Sequence, residues 1–210
     1  MPNPALDRRE PQQGKNGFSN DKGFTVIELM IAIAVLAIVT SLALPSYRTI
    51  IEKRQVTSGA EQIKAFMSAA QLESVRRNQP VSVNYEWNGG SWCMGMRTAE
   101  AVADADCDCT ISDPTNNDAC AIDGALRVVN YGDVTYPEAL QSSSSLGGAD
   151  DNLVFDPVRG LILNAETANM ELISDDATYA LDVQVLPTGR MNVCNDTVAA
   201  SSSVPRFESC

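Results

Sequence analysis

The feature that most constrains this chain is an apolar run from Phe24 to Leu44, 21 residues with a single charge, Glu28. As a helix it would be roughly 30 Å long, the hydrocarbon thickness of a bilayer. A carboxylate within such a segment is costly unless it is paired, so Glu28 marks a functional position by default. A secretory signal peptide has a shorter apolar core, of about 7–15 residues, followed by a small-residue cleavage site. This run is longer and no Ala-x-Ala follows it. A plain signal anchor would have no use for Glu28. The flanks say less. Arg8, Arg9, Lys15 and Lys22 stand against Asp7, Glu10 and Asp21 before the run, while Arg48, Lys53 and Arg54 follow it. The positive-inside rule therefore gives only weak support for a cytoplasmic N-terminus.

Beyond Pro45 the helical pattern continues. Apolar residues recur at Val56, Ala60, Ile63, Met67 and Ala70, at gaps of four and three, which is one helical face. Asn78 and Pro80 end the pattern, because proline disfavours helix in the residue before it. The spacing predicts one helix of 54 residues, Phe24 to Arg77, with Pro45 and Gly59 as kink or melting points. Its first half is apolar all round. The apolar stripe of its second half needs a cover, which residues 80–210 must supply.

That remainder reads as β. Val81-Ser82-Val83-Asn84-Tyr85 alternates as a half-buried strand does. Asn88-Gly89-Gly90 is a hairpin turn and Trp92-Cys93-Met94 the return strand. Further strands are predicted at 126–131, 153–155, 160–163, 179–186 and 190–194, with turns at Asp156–Gly160 and Pro187-Thr188-Gly189. Residues 98–124, acidic and holding three cysteines, and the Ser/Gly-rich residues 141–150 read as insertions exposed on the surface. The expected fold class is α+β, a long N-terminal helix packed on an antiparallel sheet domain.

Composition limits the function. The formal net charge of the 210 residues is −12, and loss of residues 1–23 would remove four basic and three acidic side chains, giving −13. Such a surface repels phosphate backbones. With no histidine, Ser-His-Asp and Cys-His catalysis are excluded as usually built. No enzyme activity and no cofactor are expected. Cys93, Cys107, Cys109, Cys120, Cys194 and Cys210 all follow the apolar run, and six cysteines on a translocated side read as up to three disulfides among fifteen pairings. Cys107 and Cys109 are too close in sequence to favour bonding each other. Zinc is the alternative for the cluster of four, but the spacing matches no common zinc motif. Asp104-Ala-Asp106-Cys-Asp108 has the alternating carboxylates of a calcium loop without its glycine and terminal glutamate, so a solvated acidic loop is the expectation. Arg76-Arg77 in a last helical turn complements the macrodipole. Trp87 and Trp92 are expected in the core or at a subunit contact.

Gly23-Phe24-Thr25-Val26-Ile27-Glu28-Leu29 resembles the type III signal of type IV prepilins and type II secretion pseudopilins. The resemblance implies cleavage between Gly23 and Phe24 by a membrane prepilin peptidase and N-methylation of Phe24. It implies that Glu28 attracts the N-terminal amine of a neighbouring subunit, and that Pro45 sits where many pilins carry a helix-kinking proline. The leader of 23 residues is longer than is usual for the class, as a start codon assigned too early would produce. Ala69 to Val83 is similar to the end of the first helix in the GspH/FimT group of minor pilins, Gly90-Ser91-Trp92-Cys93-Met94-Gly95 to its Gly-x-Trp segment, and Thr188-Gly189-Arg190-Met191-Asn192-Val193-Cys194 to its Gly-Arg segment. The resemblance is strong over 23–95, patchy over 125–194 and absent over roughly 97–124. In DNA-uptake members a second arginine follows the Gly-Arg pair. Asn192 stands in its place here, which leaves Arg190 as the one candidate DNA contact and makes DNA an unlikely partner.

The organisation implied is a leader at 1–23, a transmembrane and assembly half-helix at 24–44, an amphipathic half at 45–79, and a periplasmic β-rich domain at 80–210 carrying the insertion 98–124. Pilins often close a C-terminal loop with a disulfide, which implies Cys194–Cys210 first. The role implied is a minor pilin, anchored in the inner membrane, that joins other major and minor pilins through Phe24, Glu28 and Pro45, primes pilus assembly and sits at or near the tip. The alternatives are an H-type pseudopilin of a type II secretion system and a DNA-uptake receptor.

Overall fold

The computed structural model describes residues 23–88, 91–99, 106–130, 145–146, 152–163, 167–174 and 176–210. Side chains at 42, 44–46 and 88 are outside the description. The chain forms two compact units that divide between Leu44 and Pro45. The helix α1, Val26–Arg77, contributes to both, and neither Pro45 nor Gly59 interrupts it. The predicted melting at these two positions does not occur, since helical hydrogen bonding carries past both. α1 starts two residues later than predicted because Thr25 serves as its N-terminal cap.

In the unit Pro45–Cys210 the stripe Val56, Ala60, Ile63, Met67 and Ala70 is fully buried. It shares one core with a four-stranded sheet, order β5-β2-β1-β6, and a three-stranded sheet, order β7-β8-β9. The strands are β1 Val81–Asn88, β2 Ser91–Thr98, β3 Ala121–Ile122, β4 Ala125–Leu126, β5 Val128–Asn130, β6 Asn152–Phe155, β7 Ala168–Ile173, β8 Ala180–Val185 and β9 Met191–Asn195. All paired strands are antiparallel. Val81, Val83 and Tyr85 of β1, Trp92, Met94 and Met96 of β2, and Leu181, Val183 and Val185 of β8 all enter that core. Trp92 is buried, whereas Trp87, its cross-strand partner, is more than one-third exposed. The turn between β1 and β2 falls on residues 89–90, outside the described residues.

Several expectations are corrected. β1 is buried on both faces, since Ser82 and Asn84 are covered as fully as their apolar neighbours. Residues 106–130 lie over Asn84, whose amide donates to Asp106, although most of residues 110–118 stay exposed as expected of an insertion. The segment is clamped to the sheet, buries Cys107, Cys109, Cys120 and Ile122, and contains the β3–β4 hairpin. Asp123 and Gly124 turn that hairpin with φ of 53° and 70°, the conformation an Asp-Gly pair favours. The strand predicted at 126–131 divides into β4 and β5, and Tyr131 is outside the described residues. Residues 160–163 give one bridge, Phe155 to Ile162, rather than a strand. Within 141–150 only Ser145 and Leu146 are described. Ser145 exchanges backbone hydrogen bonds with Asn169, and Leu146 is fully buried. β7 escaped sequence reading, although its Ala168, Met170 and Leu172 alternate with half-buried residues as a strand should.

Candidate functional site

The N-terminal segment begins with Gly23, around which there is open space, and Phe24, which is 89% exposed. Thr25 and Glu28 then form a capping box. Thr25 backbone N donates to Glu28 Oε2 at 3.1 Å, Thr25 Oγ1 donates to the same oxygen at 3.1 Å, and Glu28 backbone N donates to Thr25 Oγ1 at 3.3 Å. Two otherwise unpaired helix donors are thereby satisfied, and the carboxylate lies at the positive end of the helix dipole. The sequence signal was available, since Thr25-Val26-Ile27-Glu28 has the spacing of a capping box ahead of an apolar run.

Behind the cap, Val26, Ile27, Leu29, Met30, Ile31, Ile33, Val35, Leu36, Ile38 and Val39 are all exposed. A helix that is apolar all round requires a non-aqueous surrounding or a partner. Among the described residues no helix is long and apolar enough to cross a membrane. The run read from the sequence also includes positions 42 and 44, whose side chains are not described.

The six cysteines form three disulfides, Cys93–Cys109, Cys107–Cys120 and Cys194–Cys210. The first two lie across β2. Zinc binding by this cluster is overturned, because bonded sulfurs cannot serve as thiolate ligands. Glu86 lies close to Cys93 and Cys109, but those two sulfurs are bonded to each other. The clamped segment is held further by Arg97, whose Nη1 donates to the carbonyls of Asp106 (2.8 Å) and Asn117 (3.0 Å). Asp106 Oδ1 accepts from Asn84 Nδ2 at 3.2 Å and from Asn152 Nδ2. Asp108 Oδ1 accepts from Thr110 N at 2.7 Å and from Thr110 Oγ1 at 2.6 Å. These two carboxylates are engaged within the loop and with the sheet, and Asp104 is outside the described residues. Burial, with Asp108 nearby, pushes the Glu86 carboxyl up.

At the other end of α1, Glu73 accepts from Arg76 Nη2 at 2.8 Å and from Arg77 Nε at 2.5 Å, and Arg77 also grips both oxygens of Asp123. Hydrogen bonds from Arg77 hold the Glu73 and Asp123 carboxyls below their ordinary values. Arg77 thus fastens the helix end to the β3–β4 turn. Asn78, at φ 53°, closes the helix in the left-handed conformation.

The Gly-Arg segment divides into two roles. Gln71 Nε2 donates to the carbonyls of Gly160 (2.7 Å) and Gly189 (3.1 Å), joining two turns to the helix. A Cβ on Gly189 would stand 1.9 Å from Gly160 O, and its φ is +76°, so no other residue fits there without a shift. Arg190 and Asn192 are exposed.

Two family models match this chain. One, described as a prokaryotic N-terminal methylation motif, covers residues 18–44. The other, described as Type II transport protein GspH, covers residues 59–189, more than half of the chain. The chain belongs to the GspH family. It is a type IV pilin-like protein, a pilin or pseudopilin. Among relatives, a fimbrial protein of Pseudomonas aeruginosa is 36% identical over 61 residues, 29% of this chain and 40% of that protein. The type IV major alpha-pilin of Moraxella bovis is 40% identical over 60 residues, 29% of this chain and 38% of its own. A fimbrial protein of Moraxella nonliquefaciens is 53% identical over 78 residues, 37% and 43% of the two chains. The chain thus spans about two fifths of the length of these curated relatives. No solved structure matches it.

Proposed function

We propose that this GspH-family protein is a minor pilin of a type IV pilus, a non-enzymatic subunit that helps to initiate assembly and sits at or near the tip. The methylation motif over 18–44, together with the exposed apolar helix that follows Thr25, carries the reading. Cleavage after Gly23 frees the Phe24 amine, and the apolar half anchors the subunit in the inner membrane with residues 80–210 in the periplasm. On extraction, that half exchanges lipid for the helices of other pilins, and Glu28 pairs with an incoming amine. The C-terminal disulfide Cys194–Cys210 suits an exposed extracellular position.

The description of the matching family favours a second reading, the H-type pseudopilin of a type II secretion system. Deletion of the gene separates the two. Loss of surface pili with secretion intact, restored by the wild-type chain and tip-localised by immunogold labelling, supports the pilus role. Loss of exoprotein secretion with normal piliation assigns the pseudopilin. A DNA-uptake role is the least supported, given Asn192 and the acidic chain. Salt-sensitive gel-shift binding that disappears in Arg190→Ala would reinstate it.

A further inference from the structure

The unit Pro45–Cys210 contains a groove of about 460 Å³ between α1 and the C-terminal tail. Lys53, Arg54, Thr57, Ser58 and Glu61 form one wall, and Val204, Pro205 and Arg206 the other. Three cations against one carboxylate make it a basic site on a chain whose net charge is −12. The carboxylate is already engaged, since Glu61 Oε1 accepts from Arg206 Nη2 at 2.6 Å. Lys53 Nζ lies 4.9 Å from the centre of the Tyr179 ring and the Arg206 guanidinium 5.3 Å from that of Phe207, so both heads are steadied by aromatic faces.

The tail wall is prebuilt. Asn195 donates from Nδ2 to the carbonyls of Val204 (3.1 Å) and Phe207 (2.5 Å) and accepts from Val204 N (2.7 Å). The Cys194–Cys210 disulfide closes the same loop. Arg206 is held at φ 101°, a costly conformation for a residue with a Cβ, and one that persists only where the surroundings enforce it.

The same unit carries a complementary surface. The turn Asp113-Pro114-Thr115-Asn116-Asn117-Asp118 has two exposed carboxylates, and the one arginine described beside it, Arg97, is engaged with the Asn117 carbonyl at 3.0 Å. It too is rigid. Asp113 Oδ1 accepts from Thr115 N at 2.9 Å, and the Cys107–Cys120 disulfide closes around the turn. We infer that the groove of Lys53, Arg54 and Arg206 receives the Asp113–Asp118 turn of a second copy of this chain. Groove and turn are different surfaces, so the contact is heterologous and propagates head to tail rather than closing as a two-fold dimer. Both partners are preorganised, so little ordering entropy opposes the contact.

Charge exchange on the full chain in detergent micelles tests it, with association followed by sedimentation velocity at low and high salt. Wild type is expected to associate at low salt and to separate at high salt. Lys53→Glu/Arg54→Glu and Asp113→Lys/Asp118→Lys are each expected to weaken association at least tenfold, with unfolding temperatures unchanged. Arg54→Glu alone, at an exposed position, serves as a milder groove variant. Mixing the two double variants should restore association, because a reversed groove then meets a reversed turn. Three results would overturn the inference: no salt-sensitive association of wild type, weakening by the groove variant alone, or no restoration on mixing. Groove-dependent binding to phosphatidylglycerol vesicles without self-association would likewise overturn it in favour of a lipid surface.

Discussion

Substitution of Gly95 by alanine tests the packing of the two disulfides on β2. Gly95 lies in mid-strand, opposite Asn84 on one side and Val128 on the other. An ideal Cβ there would stand 2.2 Å from Cys120 Sγ, 2.4 Å from Cys120 Cβ and 3.1 Å from Cys109 Cβ. Intrinsic preference favours alanine over glycine in a strand by about 0.5–1 kcal/mol. The clash acts the other way and is larger, because the blocking atoms are held by disulfides and cannot swing aside. Overpacking of this kind costs about 1–3 kcal/mol. If closure of Cys107–Cys120 fails as well, a bridge worth about 3 kcal/mol is lost. The expected net loss is about 1–2 kcal/mol, which at roughly 2–4 °C per kcal/mol for a chain of this size is about 2–8 °C in unfolding temperature. Thermal unfolding of the oxidised full chain in detergent reads it, with peptide mapping under non-reducing conditions to identify the bridges. In a double-mutant cycle the cost should shrink when Cys107 and Cys120 are also replaced by alanine. Wild-type stability in Gly95→Ala with all three bridges intact would refute the close-packing argument.

Four further outcomes follow from local geometry. Gly189→Ala should destabilise by about 2 kcal/mol or more through its left-handed φ and the contact with Gly160 O, and Gln71→Ala by about 1–3 kcal/mol through loss of two carbonyl partners; urea unfolding checks both. Asp182 is nearly buried on β8 with Oδ1 unpaired, and burial pushes its carboxyl up despite the hydrogen bond from Gln184. A folded value raised above the unfolded one adds stability at acid pH that is lost as pH rises through the folded value. Asp182→Asn should therefore be more stable than wild type at neutral pH, and the advantage should vanish below the ordinary aspartate range, as read by melting against pH. Double replacement of Cys194 and Cys210 by serine should cost about 3 kcal/mol and make the tail susceptible to protease.

The sequence made the helix legible because its signals are local and repeated. The stripe Val56, Ala60, Ile63, Met67 and Ala70 was readable from spacing alone and is fully buried. The outer face of the first sheet was not readable. Ser82, Asn84 and Asn152 look like solvent-facing residues, and only the clamped segment, through Asp106 and the disulfides, makes that face an interior. No periodicity encodes a loop folded over a sheet. Likewise nothing local in the Gly-Arg segment shows that Gly189 is fixed by a meeting of two turns distant in sequence from Gln71. The Asp123-Gly124 hairpin and the Thr25–Glu28 capping box, by contrast, are written in residues adjacent in sequence, within stretches dominated by acidic and apolar character.

The capping box changes what a test of Glu28 must separate. A carboxylate at this position satisfies helix donors through Thr25 within a single chain, and under the proposed function it also attracts an amine from another. Glu28→Ala removes both interactions, so failed incorporation of that variant does not distinguish them. Glu28→Gln keeps a capping-box residue while removing the charge. Thr25→Val does the converse, leaving the charge and removing the hydroxyl of the cap. If charge pairing drives docking, Glu28→Gln subunits are cut after Gly23 but enter fibres poorly, whereas Thr25→Val subunits enter at near wild-type levels. Cleavage is read by mass spectrometry of the N-terminus and incorporation by quantifying the subunit in sheared fibres. Normal incorporation of Glu28→Gln together with failure of Thr25→Val would show that the helix start, and not an intersubunit ion pair, is what this glutamate supplies.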